Sequence, residues 1–203
     1  MQVPYTAALT LALCATSVLA KTDKYRLIWN SAPASSITVA WCQKDGDNAR
    51  VHYGKANKEN QELPNSHGVD RKDSHLKIES RFARLNDLKA DTVYHFVIRD
   101  SNSESRRFSF RTAPGGAASF SFAAGGDSRN HRDARQRANR VVAKLRPLFV
   151  CFGGDMISKP THDHWAAWLD DWQLTTGKDG RMVPIIAARG NHEGKSDIHS
   201  FFD

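Results

Sequence analysis

Three polar stretches in the second half of the chain follow apolar runs: Gly126-Asp127, Gly154-Asp155 and Gly190-Asn191-His192-Glu193. The residue types suit metal and phosphate chemistry. Glycine permits a sharp turn and a close approach of backbone to an ion or a phosphate. Two carboxylates and an amide gathered at one place repel unless cations lie between them, and their oxygens suit hard divalent or trivalent metals. Taken singly, each has a plainer reading, since Asp and Asn cap helices and form turns. The elements in front of them decide between the two.

Those elements alternate between strand and helix. "SFSFAA" runs into the first Gly-Asp, and Ala134, Ala138, Val141, Val142 and Leu145 then recur at helical spacing up to Pro147. "LFVCF" reads as a strand of the fully buried type and runs into the second Gly-Asp. Trp165, Trp168, Leu169 and Trp172 mark one face of a second helix, with Thr161 and Asp163 as capping residues. "VPIIAA" is a third buried strand, ending at Gly190-Asn191-His192. Strand, helix, strand, helix, strand implies a parallel sheet with crossovers, whose loops share one edge, the edge where ligands bind. Residues 119–203 therefore read as α/β.

The first half has a different period. Ile37, Val39 and Trp41 alternate, as do Val51 and Tyr53, then Tyr94, Phe96 and Ile98, then Phe108 and Phe110. Polar turn segments separate these runs, which describes a β-sandwich over residues 22–112. Leu88, Thr92 and Tyr94 in "LNDLKADTVYHF" resemble the tyrosine corner of a fibronectin type III-like domain. The Gly-rich "APGG" opens a linker over 113–118. At the start, "MQVPYTAALTLALCATSVLA" carries no charged side chain and ends in small residues, so residues 1–20 read as a cleaved export signal.

The order Gly-Asp, Gly-Asp, Gly-Asn-His-Glu after three successive strands resembles the calcineurin-type metallophosphoesterases. With the preceding sandwich and the "RTAP" junction it is most similar to the purple acid phosphatase-like branch. The resemblance implies an exported phosphoester hydrolase with two metal ions (Fe, Zn, Mn or similar) and a metal-activated hydroxide as nucleophile. It implies Asp127 as a terminal ligand of one metal, Asp155 as the bridging carboxylate and Asn191 as a ligand of the other. His192 then hydrogen-bonds the substrate phosphate and assists the leaving group. Glu193 stands where the family has Asp or Glu and receives no role. Ser158 replaces the tyrosine that colours the purple branch, and Arg129 replaces the histidine of other branches. Arg129 is read as pairing with Asp127 or reaching the phosphate.

After His192 the sequence holds only His199, whereas the family's remaining ligands are later histidines. The expectation is an N-terminal portion of a phosphoesterase that does not complete the site alone and leaves apolar surface uncovered. The alternative is a non-catalytic exported binding module built on the β-sandwich. A net charge of +7 favours anionic partners. The cations are scattered, with no aromatic-interleaved stripe, so a phosphate ester is the expected partner and nucleic acid is not. No membrane partner is expected in the mature form. Cys42 and Cys151 read as buried free thiols. His162 and His164, a His-x-His, and His131 are weaker site candidates.

Overall fold

A computed structural model of the chain describes residues 21–56 and 62–203. The export signal read in residues 1–20 lies outside them. Eight strands come first: β1 (Thr22–Ile28), β2 (Ile37–Gln43), β3 (Arg50–Lys55), β4 (Asn65–Gly68), β5 (Arg71–His75), β6 (Ile78–Leu85), β7 (Val93–Arg99) and β8 (Phe108–Arg111). Then follow β9 (Ala123–Gly125), α1 (Arg132–Leu145), β10 (Val150–Phe152), α2 (His162–Trp172), β11 (Ile185–Ala187) and α3 (Asp197–Phe202). The first eight strands form a β-sandwich and the remainder is α/β, as the two hydrophobic periods require.

The sandwich core lies between β4-β3-β7-β8 and a facing sheet that contains β1, β2, β5 and β6. Leu27, Val39, Trp41 and Leu85 meet Val51, Phe96, Phe108 and Phe110 there. Tyr94 stacks on Phe110 with ring centroids 5.6 Å apart, and its hydroxyl accepts the Lys89 backbone N–H at 2.9 Å. That is the tyrosine corner. Tyr94→Phe would leave the amide unpaired, so a loss of about 1–2 kcal/mol is expected in urea unfolding. An unchanged midpoint would show that water replaces the hydroxyl.

The two halves share one sheet, a continuity that the linker segment does not suggest. Strand β11 pairs in parallel with β1 through Ile28 and Ile185, giving the order β5-β6-β2-β1-β11-β10-β9. Strands β9, β10 and β11 are parallel to one another, as the crossover pattern predicts. Strand β2 is therefore buried on both faces and does not alternate. Ile37, Val39 and Trp41 enter the sandwich core, while Ala40 and Cys42 enter a second core with Ile28, Phe82, Trp165, Trp168, Trp172, Phe201 and Phe202. The tryptophan face of α2 is thus covered by the sandwich's own sheet. No described helix is long and apolar enough to cross a membrane.

Four expectations need correction. Cys151 is exposed, not buried, because only one face of β10 is covered; Cys42 is buried and both thiols are free. Ile186 of β11 is exposed for the same reason, so these strands are not of the doubly buried type. Helix α1 is turned the other way from its apolar stripe: Arg135 and Asn139 are buried, while Ala134, Ala138, Val141 and Leu145 face outward. The cause is a buried carboxylate, Asp171, described below. Thr161 does sit at the start of α2 in extended conformation, but its side chain closes no cap.

Candidate metal and phosphate site

The ends of β9, β10 and β11 carry Asp127, Asp155 and Asn191 to one edge of the sheet. Backbone hydrogen bonds join the first two loops: Asp127 N–H to Gly154 O at 2.9 Å and Arg129 N–H to Asp155 O at 3.0 Å. The last two loops touch through glycine. Gly154 has φ +92°, and a Cβ on it would lie 2.7 Å from Gly190 Cα; a Cβ on Gly190 would lie 2.8 Å from Asp155 Cγ. No side chain fits at either position. Asp127, Arg129 and Asp155 all adopt left-handed backbone, with φ of 52°, 38° and 54°. Such non-glycine conformations are uncommon and cluster at functional sites.

The side chains follow from this frame. One carboxylate oxygen of Asp155 accepts the His192 backbone N–H at 3.1 Å, and the other accepts an Arg129 Nη2–H at 3.3 Å. The same guanidinium donates from Nε to Asp127 at 2.5 Å. Arg129 therefore links both carboxylates and does more than pair with Asp127. Asp155 is mostly buried whereas Asp127 is 68% exposed. Burial opposes ionisation of Asp155 most strongly, but the His192 amide and the charges of His192 and Arg129 outweigh it and hold its pKa below the ordinary carboxylate value. The hydrogen bond from Arg129 to Asp127 raises the guanidinium pKa further, so Arg129 stays charged at neutral pH.

His192 Nδ1 lies 2.9 Å from the Ser158 carbonyl. A carbonyl only accepts, so Nδ1 carries the proton and Nε2 is the nitrogen left for other partners. Ser158, in the tyrosine's place, thereby orients the histidine through its backbone. Asn191 is exposed beside this group.

Glu193, assigned no role from sequence, is buried at 4% exposure and holds the loops together. Its carboxylate accepts the backbone N–H groups of Asp155 at 3.1 Å, Met156 at 2.6 Å and Gly190 at 2.6 Å. Asp197 does the same for the next turn. It accepts Gly194 N–H and Trp165 Nε1–H, each at 2.8 Å, and meets His75 Nε2 of β5 at 2.7 Å. The sandwich is thus tied to the site loop. His164 accepts the Lys159 N–H and approaches Asn130, while His162 pairs with Asp163. His131 caps α1 by position.

Asp171 is the other residue that sequence reading missed. Buried at the end of α2, it receives Arg135 at 2.6 Å and 3.0 Å, Arg132 at 2.8 Å and 3.1 Å, and Gln136 at 2.8 Å. Arg135 also donates to the Arg129 carbonyl, which joins this cluster to the site. A polar stripe at helical spacing, Arg132, Arg135, Gln136 and Asn139, was the available signal.

Among the described residues no group of three or more His, Cys, Asp or Glu side chains is placed to hold a metal ion. Carboxylate and amide oxygens such as those of Asp155 and Asn191 are of the type that hard cations take, including ions that bind through few protein ligands and keep their waters. A second ion between Asp127 and Asp155 does not fit the arrangement, because the Arg129 guanidinium stands there.

Residues 22–112 match the family model described as "Purple acid Phosphatase, N-terminal domain". Two solved structures share the fold over both halves. "Structure of PhoD" has a TM-score of 0.63 at 13% identity, covering 83% of this chain and 38% of that one. Purple acid phosphatase PPD1 isolated from yellow lupin (Lupinus luteus) seeds has a TM-score of 0.63 at 15% identity, covering 84% of this chain and 35% of that one. The chain thus spans little more than a third of either structure. No curated protein matches it. Residues 22–112 thus resemble the purple acid phosphatase N-terminal domain, and the fold of the chain as a whole is shared with PhoD and the lupin phosphatase.

Proposed function

We propose that this chain is the N-terminal part of an exported, metal-dependent phosphoester hydrolase. The observation that supports it most is the meeting of three strand-end loops, where Asp155 receives both the His192 amide and the Arg129 guanidinium. In this reading Asp155 and Asn191 hold a metal ion, and Asp127 is the outer carboxylate of the site. A bound metal ion supplies a water whose pKa falls to about 7. His192 is fixed through Nδ1–H, and in its imidazolium form Nε2–H donates to a phosphate oxygen and passes its proton to the leaving group. Arg129 keeps guanidinium N–H groups beyond those that bind the two carboxylates, and these contact the phosphate. Ordered donors aimed at developing charge stabilise the transition state without reorganisation. The pair of metals implied by the family resemblance requires a second cation position, which this reading leaves to ligands beyond Asp127, Asp155 and Asn191.

The test is hydrolysis of an aryl phosphate with Mn²⁺, Zn²⁺ or iron supplied, comparing the protein with its Asp155→Asn variant. A loss of about 100-fold or more is expected, in line with disruption of metal-holding groups. Equal rates in the two proteins would overturn the assignment of Asp155. No hydrolysis by either protein would mean that these loops do not suffice for catalysis, and Mn²⁺ binding would then separate a metal-holding site from a binding role for the β-sandwich.

A further inference from the structure

We propose that the Arg129 guanidinium is a tethered counter-cation that occupies the cation position between Asp127 and Asp155, so that these loops take one metal ion rather than two. The inference rests on the metal-dependent reading above and goes further, since it fixes how many ions the three loops hold and which residue sets that number.

Two contacts place the charge: Nε at 2.5 Å from Asp127 and Nη2 at 3.3 Å from Asp155. The fork of a guanidinium presents N–H groups in fixed directions to two carboxylates at once. The backbone holds Arg129 in position as well. Its N–H binds the Asp155 carbonyl at 3.0 Å, and its own carbonyl accepts from the buried Arg135. Arg129 itself has a left-handed φ of 38°, and its side chain lies against Asp127 of the same loop. The guanidinium is therefore part of the frame of the site.

Charge leads to the same conclusion. Two carboxylates with one guanidinium leave a single net negative charge, which one divalent ion more than balances. A second divalent ion would sit directly against a fixed positive group, and that repulsion is strong at the effective dielectric of a protein surface. The resulting net charge still favours a phosphate anion.

Mn²⁺ binding to the full chain, read from the electron paramagnetic resonance of free Mn²⁺, tests this. The wild type is expected to bind one ion, and Asp155→Asn to lose it. Arg129→Gln, which removes the charge, is expected to bind a second ion or to hold the first about tenfold more tightly or better. Arg129→Lys keeps a charge without the fork and is expected to stay at one ion. Arg129→Gln binding with the wild-type count and affinity would overturn the inference and leave the proposed function standing. Two ions on the wild type would do the same. No binding by either protein would overturn the metal-holding assignment and this inference together.

Discussion

Asp171→Ala is expected to destabilise the protein by about 3–5 kcal/mol, the usual consequence of removing one partner from a buried ion pair. Arg135 is 4% exposed at its side chain and would be left as a buried guanidinium without its carboxylate. For a chain of this size that corresponds to a fall in melting temperature of about 10 °C. Arg132→Ala is the control. Its side chain is 51% exposed and returns to water when the pair breaks, so only a minor part of the loss is expected. If the two variants melt together, the cluster is a surface network and not the anchor of α1.

The same carboxylate gives a pH dependence with a definite sign. Burial pushes the Asp171 pKa upward, but hydrogen bonds from Arg132, Gln136 and Arg135 with the Arg135 charge prevail, and the net shift is downward. A carboxylate whose pKa is lower folded than unfolded adds stability above the unfolded value of about 3.9, and that stability is lost as pH falls through the folded value. The acid side of the stability profile should therefore be shallower in Asp171→Ala than in the wild type, with the difference confined to below about pH 4.

These residues show where sequence reading succeeds and fails. Strand alternation in Tyr94, Phe96 and Ile98 and the tryptophan spacing of α2 carry their burial in the chain itself, because one face of a regular element meets one core. The α1 stripe of Ala134, Ala138, Val141 and Leu145 has equally good spacing and faces outward. Its orientation is set by Asp171, a partner about 36 residues away that a local period does not contain. Strand β2 departs from alternation for a similar reason: its second face is covered only because β11 joins the sheet beside β1. The glycines at strand ends were legible as close-approach positions, but that Gly154 and Gly190 approach each other was not. Arg129 was readable as a partner of Asp127; its bridge to Asp155 depends on loop geometry.

Glu193→Gln is expected to loosen the site while leaving the fold in place. The two side chains have the same shape, so the difference lies in the hydrogen bonds. The carboxylate presents acceptors on both oxygens to three backbone N–H groups, of Asp155, Met156 and Gly190. The amide presents one acceptor and one donor, and its NH₂ must face at least one of those N–H groups. Losing charge-assisted acceptors in a buried position costs about 2–4 kcal/mol. The sandwich core does not share these bonds, so the loss should appear as local opening. Amide hydrogen exchange at Gly190 and Met156 should accelerate by about 30-fold to 1,000-fold, while Val39 and Phe96 keep their wild-type protection. Unchanged exchange at Gly190 would mean that the strands and the Gly154–Gly190 contact hold the loops without the carboxylate. Faster exchange throughout would mean that Glu193 supports the whole fold. Opening confined to the loops would place Glu193 as the residue that fixes Asp155 against the His192 turn.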